Sequence, residues 1–197
     1  MTIPNSSLQK IAPSAIIELF QLDLIEGTHY ATGNPDSVTT VYRFHSGTSL
    51  KTNNSIVWAG NTYDRYPVEC AGFELSGQGV MARPQMRISN ILSLFTTLMA
   101  TVNSFNFGND LVGAKFTRIQ TMVEFIDATN FANSLNPFGT PDTSQELPKR
   151  IFVLNKKNIE TREIVEYEMV AALDLPNVDL PIRIATKKIF PAIGDFI

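Results

Sequence analysis

Short runs in which apolar and polar residues alternate recur along the chain. The run AIIELFQLDLI at residues 15–25 interleaves Leu22 and Leu24 with Gln21 and Asp23. Because neighbouring side chains of a strand point to opposite faces of a sheet, a spacing of two predicts strands rather than helices. Similar runs begin at residues 41, 55 and 62 with turn residues between them, and this spacing predicts a meander. The sequence therefore predicts a mainly β fold.

One segment changes to a helical period. In NILSLFTTLMATVNSF, which begins at residue 90, apolar residues recur three and four positions apart. This spacing predicts a helix over residues 90–104, and Ser89 or Asn90 is expected to supply the oxygen that caps its first turn. The breadth of the apolar face predicts one helix buried against the flank of a sheet. That face contains Ile91, Leu94, Phe95, Leu98 and Val102 and is widened by Leu92 and Met99.

The second half of the chain again has β character. The run AKFTRIQTMVEFIDA predicts one long strand with a single irregularity over residues 114–128. Residues 133–148 contain three prolines and are mostly polar, so we expect an exposed excursion or a mobile one. The following β-rich arms predict a hairpin whose turn lies at residues 156–161. The C-terminal tail provides one more candidate strand.

Charge and composition exclude several classes of function. The chain has 16 basic and 19 acidic residues and a net charge of -3, and its lysine pairs at residues 156–157 and 187–188 are too small to neutralise a nucleic acid backbone. Residues 1–10 lack the basic flank and apolar run of a secretory signal. No apolar stretch reaches the roughly 20 residues that a membrane helix needs. We therefore expect no nucleic acid partner, no membrane span, and folding in a cytosol.

A Gly-x-Gly at residues 77–79 raises the question of a phosphate-binding loop. The sequence around it lacks a third glycine, a following helix and the Lys-Ser/Thr pair of nucleotide-binding loops. A hairpin turn between two strands is the better interpretation. Gly72, where the alternation slips, is expected to mark a β-bulge.

The one cysteine and the two histidines of the chain belong to no recognisable catalytic or metal-binding motif. Cys70 lies among apolar residues with no histidine nearby in the sequence, which predicts a buried thiol that packs rather than reacts. The single cysteine also excludes an internal disulfide and an all-cysteine metal site. His29 and His45 belong to no H-x-H or H-x-x-x-H pair, so metal binding has no support. A Ser-His-Asp triad is disfavoured because G-x-S-x-G is missing.

Two sets of neighbouring carboxylates resemble catalytic pairs. They are Glu124 with Asp127 and Glu166 with Glu168. On strands, such pairs ordinarily face solvent or form cross-strand ion pairs. We therefore predict no catalytic, cofactor-binding or metal-binding residues in the chain.

Three ordered blocks of residues carry a resemblance to a known family. They read Trp-x-Gly-x-x-Tyr-x-x-x-Pro, then Gly-Phe-Glu-x-x-Gly-x-Gly with a following Arg-Pro and Ser-Asn, and then Phe-Ile-Asp-Ala-x-Asn-Phe. This order resembles the phage minor tail protein L family of lambda-like long-tailed phages. The matching residues are Trp58, Gly60, Tyr63, Pro67, Gly72, Phe73, Glu74, Gly77, Gly79, Arg83, Pro84, Ser89, Asn90, Phe125, Asp127, Ala128, Asn130 and Phe131.

The resemblance implies a structural virion protein rather than an enzyme. Family members form the hub ring of the tail tip, between the hexameric distal tail protein and the central receptor-binding (host-specificity) fibre protein, near the tape measure protein. It implies a homotrimer in which each subunit contributes two tube-like β domains, here residues 1–130 and residues 131–197, so that three chains imitate six-fold symmetry. The expected location is the virion tail tip, after assembly in the host cytoplasm. The alternative is a tail-associated cell-wall hydrolase.

The C-terminal sequence departs from the family pattern. Relatives often continue into a segment that opens with Cys-x-Trp-x-Tyr-Arg and holds an iron–sulfur cluster. This chain has KKIFPAIGDFI there, with no cysteine or tryptophan. Either this phage lacks the cluster domain, or the sequence is incomplete, or another protein supplies the cluster. We expect no cofactor in these residues.

Two polar excursions are candidates for contact between subunits. They cover residues 27–40 and residues 131–148. Long loops of a ring-forming protein commonly make such contacts. We therefore expect both excursions to reach adjacent subunits.

Overall fold

Nine strands join in one sheet in the computed structural model, which describes residues 2–33, 39–47, 54–74, 82–91 and 93–174. Two α-helices, α1 and α2, accompany the sheet together with short 3-10 turns. The mainly β fold predicted from the alternation is confirmed. The elements are α1 Asn5–Leu8, β1 Ile16–Asp23, β2 Val41–His45, β3 Ile56–Trp58, β4 Asn61–Arg65, β5 Val68–Ala71, β6 Gln85–Ser89, α2 Leu94–Phe105, β7 Lys115–Met122, β8 Arg150–Glu160 and β9 Ile164–Val170.

The strand order across the sheet is β3-β4-β2-β1-β7-β8-β9-β6-β5. β2, β3 and β4 do not form the predicted meander. β3 and β4 make an antiparallel hairpin, but β2 lies parallel to β4, with Phe44 opposite Asp64, and its other edge pairs with β1. The spacing of runs along a sequence shows where strands lie, but it does not show which neighbour each strand joins.

The alternation in β1 sends side chains into two separate cores. Phe20 and Leu22 belong to a large cluster that also contains the buried face of α2. Leu19 belongs to a smaller cluster with Trp58 and Tyr63. Because successive side chains of a strand point to opposite faces, both faces of this central strand are buried. Each fully buried large apolar side chain contributes about 1.5–3 kcal/mol to stability.

α2 begins later than predicted and is correspondingly shorter. It runs Leu94–Phe105 rather than over residues 90–104. Ile91 precedes the helix and is 73% exposed, and Leu94 is 42% exposed, so neither lies on the buried face as predicted. The side chain of Leu92 lies outside the described part of the chain. The buried residues are Phe95, Leu98, Met99 and Val102.

The side chain of Asn90 caps a backbone N–H group in the first turn of α2, as predicted, although Asn90 is not adjacent to the helix. Its Oδ1 accepts the backbone N–H of Thr96 at 3.4 Å, and its Nδ2 donates to the carbonyl of Thr161 at 2.9 Å. Ser93, which directly precedes the helix, has φ 54° and forms no side-chain cap. Ser89, the other candidate, is the last residue of β6. Asn90 thus satisfies one first-turn donor and links it to the β8–β9 turn.

Gly72 follows β5 instead of forming a bulge within a strand. The strand ends at Ala71, and Gly72 has φ +85°, a conformation that favours glycine. A Cβ atom at Gly72 would lie 3.4 Å from Cα of Pro84, which is an ordinary contact distance, so the positive φ rather than crowding favours glycine here. Residues 77–79, the predicted hairpin turn, lie outside the described residues.

Two strand boundaries in the second half differ from prediction. β7 stops at Met122 and gives way to 3-10 turns instead of continuing to residue 128. β8 continues to Glu160, so the hairpin turn follows that residue rather than spanning residues 156–161. Register irregularities within the β8–β9 pairing absorb the extra length. At the actual turn, Oγ1 of Thr161 accepts the N–H of Ile164 at 3.0 Å.

Residues 133–148 are anchored to the body of the protein rather than simply exposed. Asn136 and Glu146 are buried. The N–H of Leu147 donates to the carbonyl of Gln120 at 2.9 Å, which ties the end of the segment to β7. Of the two expectations for this segment, an exposed excursion or a mobile one, the first does not hold for these two buried side chains.

Strands on both sides of residue 130 share the sheet. β7 and β8 pair directly, with Phe116 opposite Phe152. The division into domains of residues 1–130 and 131–197 stays a prediction, and the candidate strand in the tail lies beyond the described residues. Within the part of the chain that the structure describes, neither helix has the length and apolar character needed to cross a membrane.

Candidate functional site

Both histidines are buried and bonded to the backbone. Nδ1 of His29 accepts the N–H of Ile25 at 2.9 Å, so its Nε2 carries the proton and donates to the carbonyl of Val112 at 3.1 Å. Nε2 of His45 pairs with the carbonyl of Asn54 at 2.8 Å. Burial lowers the pKa of both rings below 6.5, which keeps them neutral near pH 7. These bonds give the imidazoles a structural role.

Cys70 is a packing residue, as the sequence predicts. Its side chain packs against the large core cluster, and burial raises the pKa of the thiol to about 12. A thiol with that pKa is protonated at neutral pH and is neither a nucleophile nor a ready metal ligand. Because Cys70 is the only cysteine in the sequence, the residues do not fit a four-cysteine iron–sulfur cluster.

The first pair of carboxylates is divided between two structural contacts. Glu124 forms an ion pair with Lys10 at 3.0 Å, and Asp127 accepts the N–H of Gly60 at 2.9 Å. Hydrogen bonding, first from the Ser7 hydroxyl, lowers the pKa of Glu124. This carboxyl is therefore ionised at neutral pH, which is the form that pairs with lysine.

The second pair of carboxylates has arginine partners on β6 and just before it. Glu166 is bonded to Arg87 at 2.6 Å, and Glu168 lies 3.5 Å from Arg83. The Arg87 guanidinium holds the pKa of Glu166 below its usual range. Among the described residues, no group of three or more His, Cys, Asp or Glu side chains is arranged to hold a metal ion. All four carboxylates thus have a structural partner.

The first and third family-like blocks contact each other directly. Asn130, which is buried, uses Oδ1 to accept the N–H of Val57 and Nδ2 to donate to the carbonyl of Val57, both at 2.7 Å. The Asp127 bond to Gly60 fixes the adjacent hairpin turn, in which Ala59 and Gly60 have φ 51° and 73°. Positive φ at both central residues is the requirement of a type I′ turn, which explains the glycine.

The second block is tied to the first block and to the centre of the sheet. The N–H of Ser89 donates to the carbonyl of Pro67 at 2.9 Å, and the N–H of Met169 donates to the carbonyl of Pro84 at 2.8 Å. Phe73 packs against Phe152, with ring centroids 5.5 Å apart. These contacts give the block residues that make them a role in the architecture.

A short segment presents apolar side chains to solvent. We call residues 132–139 the Leu135 loop, in which Leu135 is 71% exposed and Phe138 is 58% exposed. Asn136, between them, donates to the carbonyls of Val123, Glu124 and Ile126 at 3.1–3.2 Å and accepts the N–H of Phe138 at 2.9 Å. A well-anchored loop that exposes large apolar groups is a candidate interaction surface.

Sequence reasoning predicted contact for residues 131–148 but did not single out these side chains. The available signal was the presence of Leu135 and Phe138 in an otherwise mostly polar segment. Their exposure could not be read from the sequence, because it results from the turn of the chain around buried Asn136. The family resemblance also provided no residue that marks this surface.

Comparison with known proteins agrees with the motif blocks. The model of a family described as phage minor tail protein L matches residues 36–192. Tail tip protein L of Escherichia phage lambda is 29% identical over 131 residues, which are 66% of this chain and 48% of that protein. The chain thus spans about half the length of this curated relative. The family match covers most of the chain and includes all three blocks, and the protein therefore belongs to the phage minor tail protein L family.

Proposed function

We propose that this minor tail protein is a structural subunit of the phage tail tip. In this proposal three copies form a hub ring that joins the distal tail protein to the central fibre protein. The family match over residues 36–192 carries the proposal, and the name of the lambda relative, tail tip protein L, supports the location. Assembly in the host cytoplasm, next to the tape measure protein, belongs to the same proposal.

The proposed task is mechanical rather than catalytic. A ring that transmits mechanical load needs rigid subunits with few flexible segments. The broad sheet, the Asn130 contact with β3 and the anchored Leu135 loop supply such stiffness. The residues considered for catalysis are engaged in structural bonds, which supports a non-enzymatic role and gives the cell-wall hydrolase alternative no observation in its favour.

The Leu135 loop is the strongest described candidate for contact between subunits. Leu135 and Phe138 would lose their exposed apolar area on association, which is the main driving force for obligate interfaces. The anchoring of Asn136 in the interior means that little conformational entropy is lost when the loop binds. We propose the excursion at residues 27–40 as a second contact, and a second tube-like unit within residues 131–197.

We further propose that this chain contains no iron–sulfur cluster. One cysteine with a raised pKa is an unsuitable ligand set for one. Iron analysis of the purified chain is expected to find none. Stoichiometric iron held by these 197 residues would contradict this part of the proposal.

Copy number tests the proposed ring. Quantitative mass spectrometry of purified tails is expected to find one copy of this chain for every two copies of the distal tail protein. This ratio is expected because a trimer of this chain would meet a hexamer of the distal tail protein. Equal copy numbers, or absence of the chain from intact tails, would contradict the hub proposal. The major tail tube protein in the same sample provides the internal reference for tail recovery.

A further inference from the structure

Two arginines lie side by side on neighbouring strands of the sheet. Arg118 of β7 and Arg150 of β8 are direct cross-strand partners, so their side chains leave the same face of the sheet. Like charges in this position repel each other. A negative group beside such a pair would offset this repulsion.

Among the residues that the structure describes, a carboxylate compensates one of these two charges. Arg118 forms a hydrogen-bonded ion pair with Glu18 of β1. Among the described residues Arg150 forms no ion pair, and its guanidinium donates instead to the carbonyl of Phe73 at 2.9 Å. A guanidinium has five N–H donors, so Arg150 retains donors for another partner.

Both arginines line a cleft of about 510 Å³ at the end of β5. The guanidinium carbon of Arg118 lies 4.3 Å from the centroid of the Phe73 ring, a cation–π contact that fixes the side chain. The carbonyl of Phe73 holds Arg150 at the same time. Phe73 therefore positions both charges at the cleft before any ligand arrives. The other lining residues are Cys70, Ala71, Gly72 and Glu74.

The neighbouring acidic residue does not neutralise the pair. Glu74 lines the cleft but forms no ion pair with either arginine in the described part of the structure. Residues 75–81, which follow it and lie outside the described residues, contain no Asp or Glu. The charge of Arg150 is thus left facing the cleft.

We propose that this cleft binds a carboxylate group, supplied by an acidic side chain of a partner protein. Arg150 is the contact residue and Phe73 is the positioning residue, whereas the charge of Arg118 is already compensated by Glu18. A carboxylate fits because two of its oxygens can accept two parallel N–H bonds from one guanidinium. That the partner is another tail protein rests on the proposed function, whereas the carboxylate site itself does not.

The test is a titration of the isolated chain with succinate, a dicarboxylate, followed through the arginine side-chain resonances in NMR spectra. Ionic strength is matched with sodium chloride, because exposed charge pairs are screened by salt. We expect saturable shifts of the Arg150 resonance. Arg150→Gln should weaken binding by at least about fivefold, because charge-assisted hydrogen bonds are lost. Arg162→Gln, a change of the same kind at an exposed arginine, should leave binding unchanged.

Two further titrations identify the chemical class of the ligand. Glu74→Gln is expected to tighten succinate binding, since it removes a negative charge from the cleft. Inorganic phosphate is expected to bind more weakly than succinate, and tighter binding of phosphate would overturn the carboxylate assignment. Shifts that do not saturate, or equal affinity in Arg150→Gln, would overturn the site itself. Because the titration uses the isolated chain, its outcome is independent of the copy number in tails.

Discussion

Asn130 pairs with Val57 in the way that a neighbouring strand would. β3 is the edge of the sheet, and its hairpin register with β4 leaves the N–H and carbonyl of Val57 pointing away from that partner. Both groups instead bond to the side-chain amide of Asn130 at 2.7 Å. One residue of the third family-like block thus closes an open sheet edge at the first block, and the edge becomes unavailable for pairing with other chains at this point.

Asn130→Ala is expected to lower the free energy of unfolding by about 2–4 kcal/mol. The change removes the amide and leaves the two backbone groups of Val57 without their partner, and each unsatisfied buried group costs about 1–3 kcal/mol. Urea unfolding monitored by fluorescence of buried Trp58 measures the loss. Asn5→Ala, at an exposed asparagine, is the control and should stay within about 0.5 kcal/mol of the parent. Equal effects of the two changes would show that the Asn130 contact contributes nothing specific.

Gly139→Ala is expected to destabilise the protein by about 1–3 kcal/mol. A Cβ atom at Gly139 would lie 2.9 Å from both Cβ and the carbonyl oxygen of Glu124, so the Leu135 loop would have to move. Gly47→Ala is the matched control, because the nearest atom there is 3.6 Å away and an added methyl fits. The comparison is again made by urea unfolding. A Gly139→Ala protein as stable as Gly47→Ala would disprove the tight packing of this loop.

Stability is expected to decrease as the pH falls from about 7.5 to 5.5. Burial lowers the folded-state pKa of His29 and His45 below the ordinary value of 6.5, so the unfolded chain binds more protons just below pH 6.5. The contribution of the neutral rings is therefore complete above pH 6.5 and is lost as the pH falls through the lowered folded-state pKa.

The double variant His29→Gln/His45→Gln isolates this effect, since the chain has only 2 histidines. Between these two pH values the parent should lose more of its unfolding free energy than the variant does, because only the parent must protonate the two buried rings. The comparison uses the change of unfolding free energy with pH rather than the unfolding free energy itself, because the substitutions also remove buried hydrogen bonds. Identical slopes would mean that the rings are not held neutral.

Leu135→Ser combined with Phe138→Ser is expected to impair tail assembly without unfolding the chain. Both side chains are largely exposed, so their truncation costs the free subunit little beyond the contact between the Phe131 and Phe138 rings, but it removes apolar contact area from an interface. Complementation of a phage that lacks this gene should give at least about tenfold fewer infective particles. Ile11→Ser, at a side chain that is 106% exposed in another segment, is the control. Normal particle yields from the double variant would remove the Leu135 loop from the list of contacts.

Local patterns predicted the elements better than their arrangement. The alternation around Leu19 and Phe20 correctly indicated a strand, because the two faces of a strand have separate environments. The parallel pairing of β2 with β4 was not predictable, since it depends on contacts distant in sequence rather than on spacing. The turn after Glu160 was placed too early because irregular pairing within β8 has no signal in residue type.

The functional residues were still less accessible to sequence reasoning. The resemblance marked Asn130 and Asp127 as motif residues but gave no reason for their identity, which emerges only when Val57 and Gly60 are seen opposite them. Arg118 and Arg150 are far apart in the chain and become neighbours only through the β7–β8 register. The prediction that Cys70 packs rather than reacts agrees with its contact with the large core cluster, although the residue is only partly buried.

A reconstruction of the intact tail tip by electron microscopy tests the central proposal most directly. The proposal predicts density for three copies of this chain in a closed ring between the distal tail protein and the central fibre protein, with the Leu135 loop at a contact. Density for the chain outside a three-fold ring would contradict it.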